Sequence, residues 1–198
     1  MKRLNVREVA LFGDRARIVR FTGPPSAEHL KLIINYARRL RELPGVIDAN
    51  PGHLSVLVEI EEATISNEQL SAIAEDASPI QDGRSFKVRA DYAGPDLGSV
   101  AAHNSLTIEQ VIAIHSSGPY LVSMIGSPGF IYLAGLDPRL AAPRREQPRP
   151  SVGAGTVAIG GAQTGVYGLE RPGGWNLIAT LTEAIDCEPG DYITFLPA

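Results

Sequence analysis

The chain has 198 residues, which at about 100 to 200 residues per domain corresponds to one domain or two small ones. This length excludes a repeat array and a large multidomain enzyme. Apolar residues make up 44% of the sequence and charged residues 20%, a composition typical of globular rather than disordered chains. The formal net charge of −4 lacks the basic excess that binding to a phosphate backbone requires, so we expect no nucleic acid partner.

Membrane insertion and export are not predicted either. No stretch approaches the roughly 18 consecutive apolar residues of a membrane-spanning helix. The N-terminal segment carries charged residues where a signal peptide has its apolar region. We therefore expect a cytoplasmic protein that does not contact the membrane.

Glycine divides the chain into two differently built parts, because 12 of the 20 glycines fall between Gly118 and Gly174. The sequence before Ala90 instead alternates short β-like runs with two helical patterns. A change from regular elements to a glycine- and turn-rich sequence is typical of a domain boundary. We predict a first domain over residues 1–88 and a second over residues 89–198.

The first domain contains strand and helix patterns in a recognisable order. The helices begin at the N-caps Ser26 and Ser66, and Gln69 completes a capping box with the second of them. In chain order the predicted elements are strands at 9–12 and 16–21, a helix at 26–43, strands at 46–49 and 54–60, a helix from 66 and a strand at 86–90. From the strand at 16–21 onward, the order β-α-β-β-α-β predicts a ferredoxin-like (split βαβ) α+β domain.

The second domain begins with two helical segments and continues as short strands. Thr107 and Gln110 form another capping box. The predicted elements are helices at 96–103 and 107–115 and strands at 120–125, 156–159, 166–169, 175–181 and 192–196. Short strands separated by glycines predict a closed or nearly closed β-barrel. The connection at 134–155 is long enough to be a functional loop.

From residue 91 onward, the basic residues are confined to the glycine-rich segment. They are Arg139, Arg144, Arg145, Arg149 and Arg171. Guanidinium groups bind carboxylates and phosphates in a fixed fork, so this clustering indicates an anion site. The alternative is a solvated loop that its four prolines keep extended, since exposed arginine is the norm.

The segment from Gly160 to Gly165 places Gln163 and Thr164 between glycines. Such a turn can present backbone N–H groups to an oxyanion, and the alternative is a tight turn between strands. No Gly-Lys-Ser/Thr follows it, so we do not predict ATP binding by this chain alone.

Histidines and aromatic residues leave two interpretations open. His115 ends a helix, where the macrodipole favours its protonated form, and it is either a structural residue or a general base. Tyr132, Tyr167 and Trp175 either line a pocket or fill the barrel. The four histidines are not spaced as metal ligands, and we predict no metal site.

Four ordered motifs resemble one protein family. They lie at residues 128–133 (Pro-Gly-Phe-Ile-Tyr-Leu), 135–145, 161–167 (Gly-Ala-Gln-Thr-Gly-Val-Tyr) and 172–175 (Pro-Gly-Gly-Trp). The set resembles the B-type subunit of bacterial 5-oxoprolinase, a family also called allophanate hydrolase subunit 1, which includes the sporulation kinase inhibitor KipI. Weaker signals at residues 13–16, 44–46, 94–97 and 111–115 extend the resemblance over nearly the whole chain.

The resemblance implies a ferredoxin-like domain followed by a cyclophilin-like β-barrel. It also implies one component, inactive alone, of a hetero-oligomeric hydrolase with two partner subunits, of A type and C type, of which the C-type partner is larger and has a homologous barrel. Such a complex opens the ring of 5-oxoproline to glutamate with ATP, or hydrolyses allophanate. The ligand would be a small carboxylate, this chain alone would bind no cofactor, and the assembled complex would use ATP.

Two other functions remain open within the same resemblance. One is a KipI-like, non-catalytic inhibitor of a histidine kinase, which fits the lack of a self-contained set of nucleophile, base and metal ligands. The other is the carboxyltransferase subunit of a biotin-dependent system related to urea carboxylase.

Candidate site residues fall into two groups. Gln163 and Thr164 are expected to orient the substrate or stabilise an oxyanion, and His115 is the candidate base. The candidate substrate- and anion-binding residues are Arg144, Arg145, Tyr132, Tyr167, Gly129 and Phe130. The family commonly carries Gly-Arg-Thr where this chain has residues 179–181 (Ala-Thr-Leu), so one arginine of the family's pattern is missing here.

Overall fold

The structure is a computed structural model that describes residues 4–61, 65–75 and 83–198. Contacts within the chain divide it into two compact units, Met1–Asp82 and Gly83–Ala198. The first unit is α+β with its own sheet, and the second is a barrel. These are the two kinds of unit that the sequence predicted.

Within its described residues, the first unit consists of an antiparallel sheet and two helices. Its elements are β1 (Asn5–Leu11), β2 (Ala16–Thr22), α1 (Ala27–Arg41), β3 (Val46–Pro51), β4 (Ser55–Ile60) and α2 (Asn67–Glu75). The strand order is β1-β2-β4-β3. The predicted caps are confirmed: Ser26 Oγ accepts the N–H of His29, and Ser66 and Gln69 exchange the two hydrogen bonds of a capping box.

The core of this unit lies between the sheet and its helices. One face of α1 is buried, including Ile33 and Leu40 at 0% exposure, and α1 packs on β3 and β4. Tyr36 lies on the same helix and donates its hydroxyl hydrogen to the carbonyl of Leu70 at 2.9 Å, which links α1 to α2.

One predicted strand belongs to the other unit. The segment predicted at 86–90 forms β5 (Ser85–Asp91), which pairs with strands of the barrel and not with the first sheet. Strand β1 fills the vacant edge instead: it is antiparallel to β2, as β2 is to β4, so it runs parallel to β4 as a closing strand would. The division between units therefore precedes β5, ahead of the predicted boundary at 88/89.

The second unit is a closed seven-stranded barrel, which confirms the predicted architecture. Its strand order is β10-β7-β6-β13-β5-β12-β9, and β8 and β11 form a separate two-stranded sheet. After β5 the elements are α3 (Leu97–His103), α4 (Ile108–His115), β6 (Tyr120–Gly126), β7 (Phe130–Ala134), a 3-10 turn (Pro138–Leu140), β8 (Arg149–Val152), β9 (Thr156–Gly160), β10 (Gln163–Tyr167), β11 (Arg171–Gly173), β12 (Asn176–Leu181) and β13 (Tyr192–Pro197). Thr107 and Gln110 cap α4 as predicted.

Alternation along the strands creates two separate apolar clusters. On β7, Ile131 and Leu133 belong to the cluster that also holds Val157 and Val166 of the facing strands, whereas Phe130 belongs to a second cluster with the only tryptophan. Successive strand residues point to opposite faces of a sheet. The first cluster therefore fills the barrel, and the second lies on its outer surface.

Candidate functional site

An aromatic cluster forms the floor of a pocket on the outer face of the barrel. The Phe130 ring lies 4.6 Å from that of Tyr132, 4.7 Å from that of Tyr167 and 4.9 Å from that of Trp175, measured between centroids, and all three pairs meet edge to face. This geometry suits the ring quadrupoles. Three residues expected to line a pocket or fill the barrel thus line the outer pocket together with Phe130.

Two strand glycines make room for this floor. A Cβ added at Gly160 would lie 2.5 Å from Cδ2 of Trp175, and one added at Gly165 would lie 2.5 Å from Cε1 of Phe130. No real Cβ approaches a ring so closely, so the aromatic residues sit where these strands have no side chain. The glycine-rich composition of this segment is therefore explained in part by the pocket.

Replacement of Gly160 by alanine is expected to push Trp175 out of its place. The new methyl group overpacks the floor, and we expect the free energy of unfolding to fall by about 1–3 kcal/mol. Trp175 is the chain's single tryptophan, so a shift of its emission reports the displacement directly. Gly98 is a matched control because a Cβ there meets nothing within 4 Å, and Gly98→Ala should leave the emission unchanged. Unchanged emission in Gly160→Ala would contradict the assignment.

Arginines form the wall above the floor. The guanidinium carbon of Arg144 lies 5.2 Å from the centre of the Trp175 ring, within cation–π range. Arg171 donates from Nη1 to the carbonyl of Ser127 at 2.9 Å. Arg145 also lines the pocket, and its backbone N–H donates to the carbonyl of Gly174 at 2.8 Å.

A buried carboxylate holds part of this wall. Asp96 Oδ1 accepts from Arg145 Nη1 at 3.0 Å, and Arg149 donates to both carboxylate oxygens at 2.9 Å. Asp96 Oδ2 also accepts the backbone N–H of Leu177 at 2.8 Å. Burial alone would raise the pKa of Asp96, but these hydrogen bonds and the two positive charges outweigh it and hold the pKa below its usual value.

The resulting cavity has a volume of about 260 Å³. Its aromatic floor and arginine wall suit a small ligand with an apolar body and a negatively charged group. The lining residues are Phe130, Tyr132, Arg144, Arg145, Pro148, Tyr167, Arg171, Pro172, Gly173, Gly174 and Trp175. Five of the six predicted binding residues therefore meet here. Gly129 lies outside this lining, in the turn before β7, where its carbonyl accepts the N–H of Gly168.

The predicted catalytic residues do not meet in this pocket. His115 and Thr164 are both 0% exposed, inside the barrel. The Thr164 hydroxyl donates to the carbonyl of Ala158 at 3.1 Å, so its oxygen accepts the Nε2 hydrogen of His115, at 2.9 Å. Nδ1 then accepts from the hydroxyl of Tyr92 at 2.7 Å. Every polar atom of the imidazole is used, so both residues are assigned to the core.

The protonation state of His115 also differs from the expectation. We expected the end of α4 to favour the charged form, but burial lowers the pKa of His115 from 6.5 to about 3. The ring stacks on Phe195 with 4.9 Å between centroids. A neutral imidazole without access to solvent does not fit the predicted role of general base.

The segment around Gln163 is a tight hairpin. Gln163 pairs with Gly160 across β9 and β10, and Gly161 has a φ of +65°, in the region that favours glycine. The N–H of Gly161 is already donated to the carbonyl of Ala142 at 2.7 Å. Of the two interpretations of this turn, the geometry favours the structural one, and Gln163 is outside the lining of the arginine pocket.

Sequence reasoning missed several residues of the site. Arg171 and Arg149 were singled out only as members of the cluster, and the carboxylate of Asp96 was not assigned a role. The Gly-Pro-Asp-Leu motif at residues 94–97 contained a signal, since an aspartate at a helix start accepts hydrogen bonds. Its partners, however, lie about fifty positions along the chain and nothing local indicates them.

Similarity to known proteins places the chain in a family. The family model for the carboxyltransferase domain, subdomain C and D, matches residues 7–186, and the chain belongs to this family. It is 37% identical to the B-type subunit of 5-oxoprolinase from Escherichia coli O157:H7, over 94% of both chains. The protein of the same name from Bacillus subtilis (strain 168) is also 37% identical, over 86% of this chain and 80% of its own.

Solved structures share the fold. The crystal structure of TTHA0988 matches 93% of this chain and 40% of its own, with a TM-score of 0.80 and 34% identity. The crystal structure of a conserved protein from Pyrococcus horikoshii, PH0987, matches 96% of this chain and 97% of its own, with a TM-score of 0.56 and 31% identity. The urea amidolyase of K. lactis matches 96% of this chain and 15% of its own with a TM-score of 0.76, and its identity of 19% shows the fold alone.

Membrane-crossing helices and metal clusters are both absent from the described part of the chain. No helix there combines the length and apolar character that crossing a membrane requires. The same residues include no group of three or more His, Cys, Asp and Glu side chains arranged to hold a metal ion.

Proposed function

We propose that this chain is the B-type subunit of an ATP-dependent, multi-subunit amidohydrolase that opens 5-oxoproline to glutamate. The observation that carries the proposal is the 37% identity, over 94% of both chains, to a protein that bears the name of the B-type 5-oxoprolinase subunit. Its partners would be an A-type and a C-type subunit, and ATP would be used by the assembled complex.

The arginine pocket supports the binding part of this role. Arg144 presents its guanidinium group to a carboxylate, Arg145 lines the same pocket while its Nη1 pairs with Asp96, and the aromatic floor covers the apolar face of a small ring. Among the lining residues that the structure describes there is no carboxylate, histidine, serine or thiol. We therefore assign the pocket to substrate binding, with the groups that move protons supplied by another subunit.

Allophanate hydrolysis, kinase inhibition and biotin-dependent carboxyl transfer are the competing functions. The names of the relatives favour 5-oxoproline over allophanate. Carboxyl transfer is favoured only by the likeness to the amidolyase, which concerns the fold. A kinase inhibitor would act without the other two subunits, whereas a hydrolase subunit needs them. The first experiment therefore tests whether this chain is required in the assembled complex.

The experiment is reconstitution from three separately purified subunits. We would measure ATP-dependent release of glutamate from 5-oxoproline and omit each chain in turn. The proposal predicts that release stops when this chain is left out. Release that continues without it, or a stable three-subunit complex that releases no glutamate, would overturn the assignment.

Within the active complex, Arg144→Ala is expected to lower kcat/KM by about tenfold or more, because a charge-assisted hydrogen bond to the substrate contributes about 1.5–3 kcal/mol. Arg139→Ala is the matched control. Arg139 pairs with Asp137 at 2.7 Å and lies outside the pocket lining, so its loss should leave kcat/KM unchanged. Equal effects of the two substitutions would remove Arg144 from the site.

A further inference from the structure

The guanidinium groups around the pocket differ in whether they are neutralised. Arg145 shares the carboxylate of Asp96 with Arg149. Within residues 4–61, 65–75 and 83–198, no carboxylate lies at ion-pair distance from Arg144 or Arg171. Two of the three arginines that line the pocket therefore carry uncompensated charge.

The two uncompensated groups come from different elements. Arg144 precedes β8 and lies over Trp175, whereas Arg171 opens β11 and is fixed through Nη1 to the Ser127 carbonyl. Because that carbonyl is neutral, the hydrogen bond orients Arg171 without cancelling its charge. The acidic residues nearest in sequence to these arginines are Glu146 and Glu170, and both are exposed and outside the pocket lining. Glu170 accepts a hydrogen bond from the Ser151 hydroxyl.

We propose that this pocket selects ligands with two negative charges, and that Arg171 is the specificity-determining residue that recognises the second charge. The inference rests on the proposed function, since it concerns the same pocket, and it goes beyond that function by defining the ligand class. Arg144 contacts the first anionic group and Arg171 the second. 5-Oxoproline itself has one carboxylate, so the second charge belongs to a species that arises during ring opening: either glutamate, a dicarboxylate, or a phosphorylated carboxylate formed with ATP. The cavity of about 260 Å³ is large enough for either.

The test is equilibrium binding to the full chain, followed by the emission of Trp175 in the pocket floor. Glutarate and glutaramate form a matched pair, because they have the same length and differ by one charge. We expect glutarate to bind about tenfold more tightly than glutaramate, the difference that one additional charge-assisted contact produces. 3-Phosphonopropionate, compared with glutarate, distinguishes a phosphorylated ligand from a dicarboxylate.

Arg171→Gln removes the charge and retains a polar side-chain amide. This variant should bind glutarate as weakly as glutaramate and bind glutaramate as the unaltered chain does. Arg171→Lys restores charge without the planar fork and should recover part of the preference. Arg139→Gln, outside the pocket, should preserve the preference in full.

Three results would overturn the inference: equal binding of the two probes to the unaltered chain, no binding of either, or an equal loss of both in Arg171→Gln. Failure of this inference is distinguishable from failure of the proposed function. A reconstituted complex that is active, with a chain that ignores the second charge, rejects only the ligand class. An inactive complex whose chain still prefers glutarate rejects only the 5-oxoproline assignment.

Discussion

Asp96→Asn is expected to lower the free energy of unfolding by about 3 kcal/mol, because breaking a buried ion pair leaves its partners without compensation. The Asp96 side chain is 5% exposed and joins Arg145, Arg149 and the backbone of β12. An asparagine keeps the size of the side chain but loses its charge and one acceptor oxygen. Urea unfolding at pH 7 measures the loss.

The control for this prediction is Asp137→Asn. Asp137 also pairs with an arginine at short distance, but the side chains are 32% and 66% exposed. Exposed pairs contribute about 0–1 kcal/mol, so the control should lose much less. We also expect Arg149→Gln to cost little more once Asp96 has been replaced, since residues of one network are not additive. Similar losses in the Asp96 and Asp137 variants would show that burial of Asp96 does not matter.

The second large effect is a loss of stability in mild acid that originates from His115. Burial lowers its pKa to about 3, whereas the unfolded chain takes up this proton near pH 6.5. Below pH 6.5 the unfolded state therefore binds a proton that the folded barrel does not bind, and the free energy of unfolding decreases as the pH falls. Between pH 7 and pH 5 this linkage lowers the free energy of unfolding by about 2 kcal/mol.

Urea unfolding at pH 7, 6 and 5 tests this, with His115→Gln as the variant that lacks the titrating group. At pH 7 this variant is expected to be less stable than the unaltered chain, but its free energy of unfolding should change less between pH 7 and pH 5. Burial raises the pKa of Tyr92 and Tyr120, which face the ring, so both remain neutral. Burial also lowers the pKa of His29, and His29→Gln isolates that contribution. Identical slopes for the His115 variant and the unaltered chain would contradict the assignment.

Local sequence patterns predicted most elements, because caps and periodicity are local properties. Ser26, Ser66 and Thr107 cap their helices as expected. The error concerned β5: an alternating pentapeptide identifies a strand but not the sheet that accepts it. Its neighbours in the barrel, β12 and β13, lie about ninety or more positions further along the chain, where no short-range pattern reaches.

The site was predicted in part for a similar reason. Arg144 and Tyr132 were found because composition and motif mark the segment that carries them. His115 and Thr164 were predicted to be catalytic, whereas the structure buries both side chains in the barrel. Their residue types suit both catalysis and a satisfied core hydrogen bond. Only the direction in which each side chain leaves its strand or helix separates these roles, and on β10 that direction reverses between Thr164 and Tyr167.

The pairing of β5 with β13 has a consequence for synthesis on the ribosome. The four described strands of the first sheet end by Ile60, so its hydrogen bonds can form while the rest is still being translated. The barrel instead joins Ser85–Asp91 to Tyr192–Pro197, and it stays open until the last of these strands has emerged. At about 5–20 residues per second, the first barrel strand waits several seconds for its partner with both edges unpaired. Chaperone binding during translation is therefore expected to concentrate on the barrel half.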